Sequence, residues 1–438
     1  MGFGRRTLSL LVVLGVLGAP ALIMRALCAG HSCDEEASAT SEVPFCSLPQ
    51  ALRSRVDAGW REGRGPEVLA IAPDDFVISG GSGYEGSSLR PQWPSGNLDA
   101  ARVPIVFSGN GIGASSIPAG TTLDRIAPTL AEVISFERPF PEVRSGEALE
   151  GVATGEVPRL VLQVILKGVG SDDLEDDQSA WPYLEEMMSS GAATMDGDTG
   201  SLPLDPAAIV STVGTGGLPR QHGITGSLVR NDAGELVRAF SEKADTPIIA
   251  TLSDDLDESL DQQPIIGLVG TSASDRGAIG GEWYGSGDRD EVVIDSRDPE
   301  GAALEMLTHG FADDDVADVL AISLDGEIGR MDRALRRIVN AAVRVSDGSL
   351  AIAVVGTGSE TTGDLDGAAI ASDVDAGAGE PLVEAAVPGG LFVDQKMLAE
   401  LEVSEDVVID ELTRLTGPEG RLFADVFPAI AVSFARYC

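Results

Sequence analysis

Short apolar runs rich in β-branched residues recur along the chain: VLAIA from position 68, VPIVFSG from 103, RLVLQVIL from 159, PIIGLVG from 264, EVVIDS from 291, DVLAISL from 318 and LAIAVVGTG from 350. Runs of this kind, without polar alternation, predict strands buried on both faces. Between them the apolar spacing turns helical. Leu48, Leu52, Val56 and Trp60 share one helix face, and further helices are predicted over 122–134, 181–191, 207–216, 246–256, 299–311 and 326–345. Thr246-Pro247 and Asp298-Pro299 each read as an N-cap followed by proline at the first helical position. Strand and helix in alternation predict an α/β fold, a three-layer α/β/α sandwich around a mostly parallel central sheet.

Two stretches depart from this pattern. Residues 361–386 carry no aromatic and few large apolar side chains, and are predicted as a long loop. The tail, 387–438, resumes structure with helices over 394–402 and 404–416 and ends in VFPAIAVSFARYC, a helical or lid segment. At the other end, Arg5 and Arg6 precede an apolar run from Leu8 to Met24 closed by Arg25. A positive flank before about 17 apolar residues fits a signal peptide or an uncleaved membrane anchor over 1–30. Residues 31–45 are polar and acidic and read as a tether to one folded domain, 46–438. The domain is therefore expected outside the cytoplasm, membrane-held or secreted.

Charge narrows the partners. Lys plus Arg number 30 against 70 Asp plus Glu, a formal net charge of -40. Self-repulsion with polyanions makes nucleic acid and anionic lipid headgroups poor partners. The four cysteines, Cys28, Cys33, Cys46 and Cys438, match neither a zinc ribbon nor a CxxC motif, and disulfides are the expected use in an exported chain, with three pairings open.

The segment Thr215-Gly216-Gly217-Leu218-Pro219-Arg220-Gln221-His222-Gly223-Ile224 is similar to the TG-x-x-P-x-x-HGI signature of the alkaline phosphatase and type I phosphodiesterase/nucleotide pyrophosphatase superfamily. The RLVLQVILKG strand, the WPYLEEMMSSGA helix and the MDRALRRIV helix stand in the family's order around it. VPIVFSGNGI followed by TTLDRIAPTLAEVI resembles the family's last strand and its D-x-x-P-T helix, but comes first here. The resemblance implies a circular permutation, with 46–155 as the family's C-terminal portion and 156–360 as its N-terminal and central portion. It further implies that Cys46 and Cys438 mark the old continuous junction and pair with each other.

A site of that family holds two divalent metals beside a Ser or Thr nucleophile, using several Asp and His ligands. The positions carried over from the motif are Lys167 for the first Asp, Leu204 for the nucleophile, Gly356 and Thr357 for the Asp-His pair, and Glu85 for the last His. An ammonium group cannot ligate a metal and leucine has no hydroxyl. Asp205, Asp325, Asp332 and Glu85 are the remaining carboxylates for an all-oxygen magnesium or manganese site, or one with zinc. The chain has three His, His31, His222 and His309, too few for a histidine-rich di-zinc centre. Thr215, Gly216, Pro219, His222 and Gly223 are read as structural, and His309 as capping a helix end.

Other constellations are thin. No GxSxG elbow accompanies the histidines, and GSGYEG and GTGSE lack the Lys-Ser/Thr of a phosphate loop. Asp373-x-Asp375-x-Gly377 with Glu384 resembles a calcium loop, but has Ala378 at the turn and an intruding Pro381, so an acidic surface loop is the preferred reading. The expectation is a pseudoenzyme acting as an envelope binding or regulatory module, with no cofactor and an envelope protein or small anionic ligand as partner. The alternative is an active metal-dependent phosphoesterase with a carboxylate-rich site.

Overall fold

The computed structural model describes residues 44–438 except 73–75, 80–97, 245–246, 281–289, 360–362, 418–419 and 424. The anchor and most of the tether, Cys28, Cys33, Glu85 and Thr246 lie outside the described residues. In chain order the main strands are β1 (Val68–Ile71), β2 (Arg102–Gly109), β3 (Ser115–Ser116), β4 (Leu160–Leu166), β5 (Ala192–Asp198), β6 (Ile266–Val269), β7 (Glu291–Val293), β8 (Asp318–Leu324), β9 (Leu350–Gly356), β10 (Val383–Val387), β11 (Gly390–Val393) and β12 (Asp425–Pro428). The main helices are α1 (Gln50–Gly59), α2 (Ile126–Val133), α3 (Pro182–Ser190), α4 (Pro206–Thr215), α5 (Leu252–Ser259), α6 (Pro299–Met306), α7 (Ile328–Val345), α8 (Gly367–Ala378), α9 (Gln395–Leu401) and α10 (Asp406–Arg414).

Eight strands form the central sheet in the order β7-β6-β8-β4-β9-β2-β5-β3. The strands from β7 to β9 run parallel, and β2 turns antiparallel to both β9 and β5. Every residue of β4, β8 and β9 is buried, as uninterrupted apolar runs require of strands covered on both faces. Leu162 lies opposite Leu320 and Ile352, and these side chains join α3, α6 and α7 in one core layer. On the other face α2 packs on β9, and α4 and α5 pack against α2. The result is a mixed α/β fold with helices on both sides of a large, mostly parallel sheet.

The strands stand where the sequence predicts them, and most helices do too. Asp298 caps α6 through Gly301 N, 3.0 Å from its Oδ1. The helix predicted from residue 246 instead starts at Leu252, because Thr251 and Asp254 form a reciprocal capping box: Thr251 Oγ1 accepts from Asp254 N and Asp254 Oδ2 from Thr251 N.

The loop predicted over 361–386 is a correction. Apart from residues 360–362 the stretch holds a short strand, α8 and β10. Asp366 caps α8 through Ala368 N and Ala369 N, Gly379 closes it at φ 81°, and Ile370 and Val374, four apart, are buried. Small residues hid a helix whose caps and one apolar stripe suffice once a sheet lies beneath it. That sheet is β10-β11-β1-β12, so the tail is not purely helical either. Its core joins Val68 and Ala70 of β1 to Leu391, Val393, Val408 and Leu412. The calcium-loop reading falls with the loop: Asp375 is helical and accepts from Leu382 N and Val383 N, while Glu384 pairs with Arg230 at 2.6 Å.

Pro44–Cys438 forms one compact unit whose ends are joined, the Cys46 and Cys438 sulfurs bonded with their Cα atoms 5.2 Å apart. Among the described residues no helix is long and apolar enough to cross a membrane.

Candidate functional site

Parallel α/β sheets place ligands beyond the carboxyl ends of their strands. Here the loops leaving β4, β6, β8 and β9 converge at that edge. Lys167 follows β4 directly and extends its ladder, donating from its backbone N to Leu324 O at 2.9 Å. Its side chain turns inward and is 1% exposed, against Asp275 at 0%. Nζ lies 3.1 Å from Asp275 Oδ1 and 3.2 Å from Oδ2, and donates to Thr271 Oγ1 at 2.9 Å and Ser272 Oγ at 3.0 Å. Asp275 Oδ2 also accepts from Thr271 N and Ser272 N. All three ammonium donors are thus engaged, and the buried carboxylate is both paired and hydrogen-bonded, as a buried ion must be.

Asp275 was not singled out in the sequence. The signal was present as Ser272-x-x-Asp275 just after the PIIGLVG strand, a capping-box spacing that opens the short 3-10 helix Ala273–Ala278.

Next to Lys167 the sheet edge is closed by packing. Gly168 N donates to Thr357 Oγ1 at 2.8 Å, and Thr357 is buried. At Gly356 an added Cβ would stand 2.2 Å from Val169 O, so the crossing of the loop after β4 excludes any side chain there. Leu204 is 5% exposed and reaches the same place: a Cβ on Gly358 would meet its Cδ1 at 3.0 Å. Lys167, Leu204, Gly356 and Thr357 therefore gather at one sheet edge.

The carboxylate candidates near this edge are engaged elsewhere or stand apart. Asp205 caps α4, accepting from Ala207 N at 2.8 Å and Ser227 Oγ at 2.9 Å. Asp332, on the opposite face of the sheet, caps α3 by accepting from Leu184 N at 2.9 Å and Tyr183 N at 3.2 Å. Asp325 follows β8, half-buried. Among the described residues no three His, Cys, Asp or Glu side chains converge as a metal would require. Together with the ammonium of Lys167 this donor set does not fit a two-metal centre.

The signature segment forms the end of α4 and the turn after it. Thr215 Oγ1 donates to Ser211 O at 2.6 Å and accepts from Gly217 N at 3.2 Å. Gly216 and Gly223 hold positive φ of 75° and 79° as C-caps, and Pro219 opens the one-turn helix Pro219–His222. His222 is fully buried. Its Nδ1 accepts from Ile224 N at 3.1 Å, so the proton sits on Nε2, 3.2 Å from Thr212 Oγ1 on α4. Burial holds its pKa down to about 3, and the imidazole is a neutral packing element. His309 instead pairs with Glu291, whose hydrogen bond raises its pKa.

A second buried charge cluster sits at the C-terminal end of α4. Arg138 and Arg144 both pair with Asp255 Oδ2 at 2.8 Å, and both donate to Thr215 O and Ala250 O. Burial, with Arg144 alongside, pushes the Arg138 guanidinium down to about 10 despite Asp255.

Fold and site together define a mostly parallel α/β protein with a buried Lys167–Asp275 ion pair at the carboxyl edge of its sheet. No family model and no curated protein matches the chain. Among solved structures it is similar to wild-type alkaline phosphatase PafA, at 14% identity and TM-score 0.45, covering 58% of this chain and 76% of that one. A quadruple-substituted form of the same enzyme gives 14% identity and TM-score 0.44 over the same shares.

Proposed function

We propose that this chain is a non-catalytic, circularly permuted relative of the alkaline phosphatase and phosphodiesterase superfamily, held at a membrane and acting as a binding or regulatory module outside the cytoplasm. The observation that carries the reading is Lys167, whose buried ammonium is saturated by Asp275, Thr271 and Ser272 where the resemblance calls for the first metal-binding carboxylate. A cation supplied by the chain takes the place of one supplied from solution. Leu204 and Gly356 support the same reading, since neither offers a nucleophile or ligand and Gly356 leaves no room for one.

The permuted order is supported by β2, which precedes β4 in sequence yet lies beyond β9 in the sheet, and by the Cys46–Cys438 bond that ties the two ends. The occupied ammonium weighs against a small anionic ligand at Lys167, and the partner proposed is an envelope protein.

The test is metal analysis of the purified full chain after exposure to zinc, magnesium and manganese, with a screen of phosphomonoesters and phosphodiesters. The expected result is substoichiometric metal and no turnover above buffer. Stoichiometric metal together with hydrolysis would establish the active phosphoesterase instead.

A further inference from the structure

The C-terminal 3-10 helix Ala429–Tyr437 leaves three large apolar side chains in solvent: Ile430 at 47%, Phe434 at 47% and Tyr437 at 70% exposed. Phe434 and Tyr437, three apart on a three-residue turn, stand over one another with ring centroids 6.4 Å apart, and the Arg436 guanidinium lies 4.8 Å from the Tyr437 ring. This helix packs on the first described turn, Pro44–Ser47, and on α1. The disulfide fixes it there.

Charge sets the region apart. In a chain with 70 acidic residues, 44–56 and 426–438 contain no Asp or Glu, while Arg53, Arg55 and Arg436 do fall within them. An aromatic surface carried by two segments without carboxylates, on a protein of net charge -40, is one where repulsion by phosphate headgroups is locally reduced, although Asp57 and Asp425 adjoin the segments and Asp198 pairs with Arg55. It also adjoins the point where the polypeptide leaves for its N-terminal apolar run. Residues 25–43 span at most about 65 Å when fully extended, so this face stays within reach of any bilayer holding residues 8–24.

We infer that the surface of Ile430, Phe434 and Tyr437 docks on the lipid interface, with aromatic rings at headgroup depth and Arg436 toward phosphate. The inference rests on the membrane-held reading above and adds the face that meets the bilayer. It orients the domain, placing one fixed side toward lipid and leaving the rest for a partner.

The test uses the full chain in phosphatidylcholine vesicles, with a benzoylphenylalanine photocrosslinker placed by Tyr437→benzoylphenylalanine and, as control, by Val343→benzoylphenylalanine on the exposed side of α7. The expected result is several-fold more lipid adduct from position 437 than from 343. Equal yields, or adducts from 437 to a second copy of the chain, would overturn the docking surface. Carbonate extraction separates the two readings. Release of the chain from the vesicles overturns the anchored reading and the docking with it, whereas retention with equal yields overturns the docking alone.

Discussion

Two buried cation sites flank α4, and they solve the same problem differently. On one side, the 3-10 helix packed on α4 carries Asp275, and there Lys167 meets one carboxylate and two hydroxyls, a pair of balanced charge. At the C-terminal end of α4, Arg138 and Arg144 share the carboxylate of Asp255, and the charge of the neighbouring buried Asp254 also acts on Arg138. Thr215 O, at the negative end of the helix dipole, and Ala250 O accept further donors from both arginines. A side-chain pair depends on one partner, whereas a cluster spread over backbone carbonyls does not. The first arrangement should be the more fragile.

Replacing one partner tests that difference most directly. Lys167→Met should leave Asp275 charged and unpaired in the interior and cost about 3–5 kcal/mol in denaturant unfolding. The double variant Lys167→Met/Asp275→Asn should recover part of the loss, since the amide still accepts from Thr271 N and Ser272 N. Arg138→Met should cost less, about 1.5–3 kcal/mol, because Arg144 continues to neutralise Asp255. Equal losses at the two sites would mean that the backbone carbonyls contribute little.

A pH titration sharpens the picture from a neutral neighbour. His222 has a folded pKa of about 3 against an ordinary 6.5. Between those values the unfolded chain binds a proton that the folded chain refuses. Its contribution is therefore most favourable above about pH 6.5 and declines as pH falls toward 3, with a slope of up to about 1.4 kcal/mol per pH unit. The variant His222→Asn can still accept from Ile224 N and should lose that part of the acid limb. An unchanged slope in the variant would show that His222 titrates normally.

Much of the fold was legible because its signals are local. The buried strands announce themselves as β-branched runs, and α6 by Asp298-Pro299. α8 was missed because Gly367–Ala378 offers only Ile370 and Val374 as a stripe, and small residues carry little periodic contrast. The site was legible in what it lacks. That Lys167 and Leu204 offer neither ligand nor hydroxyl follows from their side chains alone. That Gly356 has no room for a side chain follows only from Val169 O passing beside it. Asp205 and Asp332, plausible ligands by residue type, turned out to be helix caps because α4 and α3 begin where each carboxylate lies.

By itself, then, the sequence determined the buried strands, most helix segments, the Asp298 cap, the shortage of imidazoles and the strong negative charge. These are properties of residue type and short-range spacing. Only the tertiary structure decided that Asp275 receives Lys167 and that Asp255 gathers two arginines, whereas the bond between Cys46 and Cys438 was already implied by the resemblance. Pairings of that kind depend on the order of strands in the sheet, which brings together residues far apart in the chain, and no local pattern encodes that order.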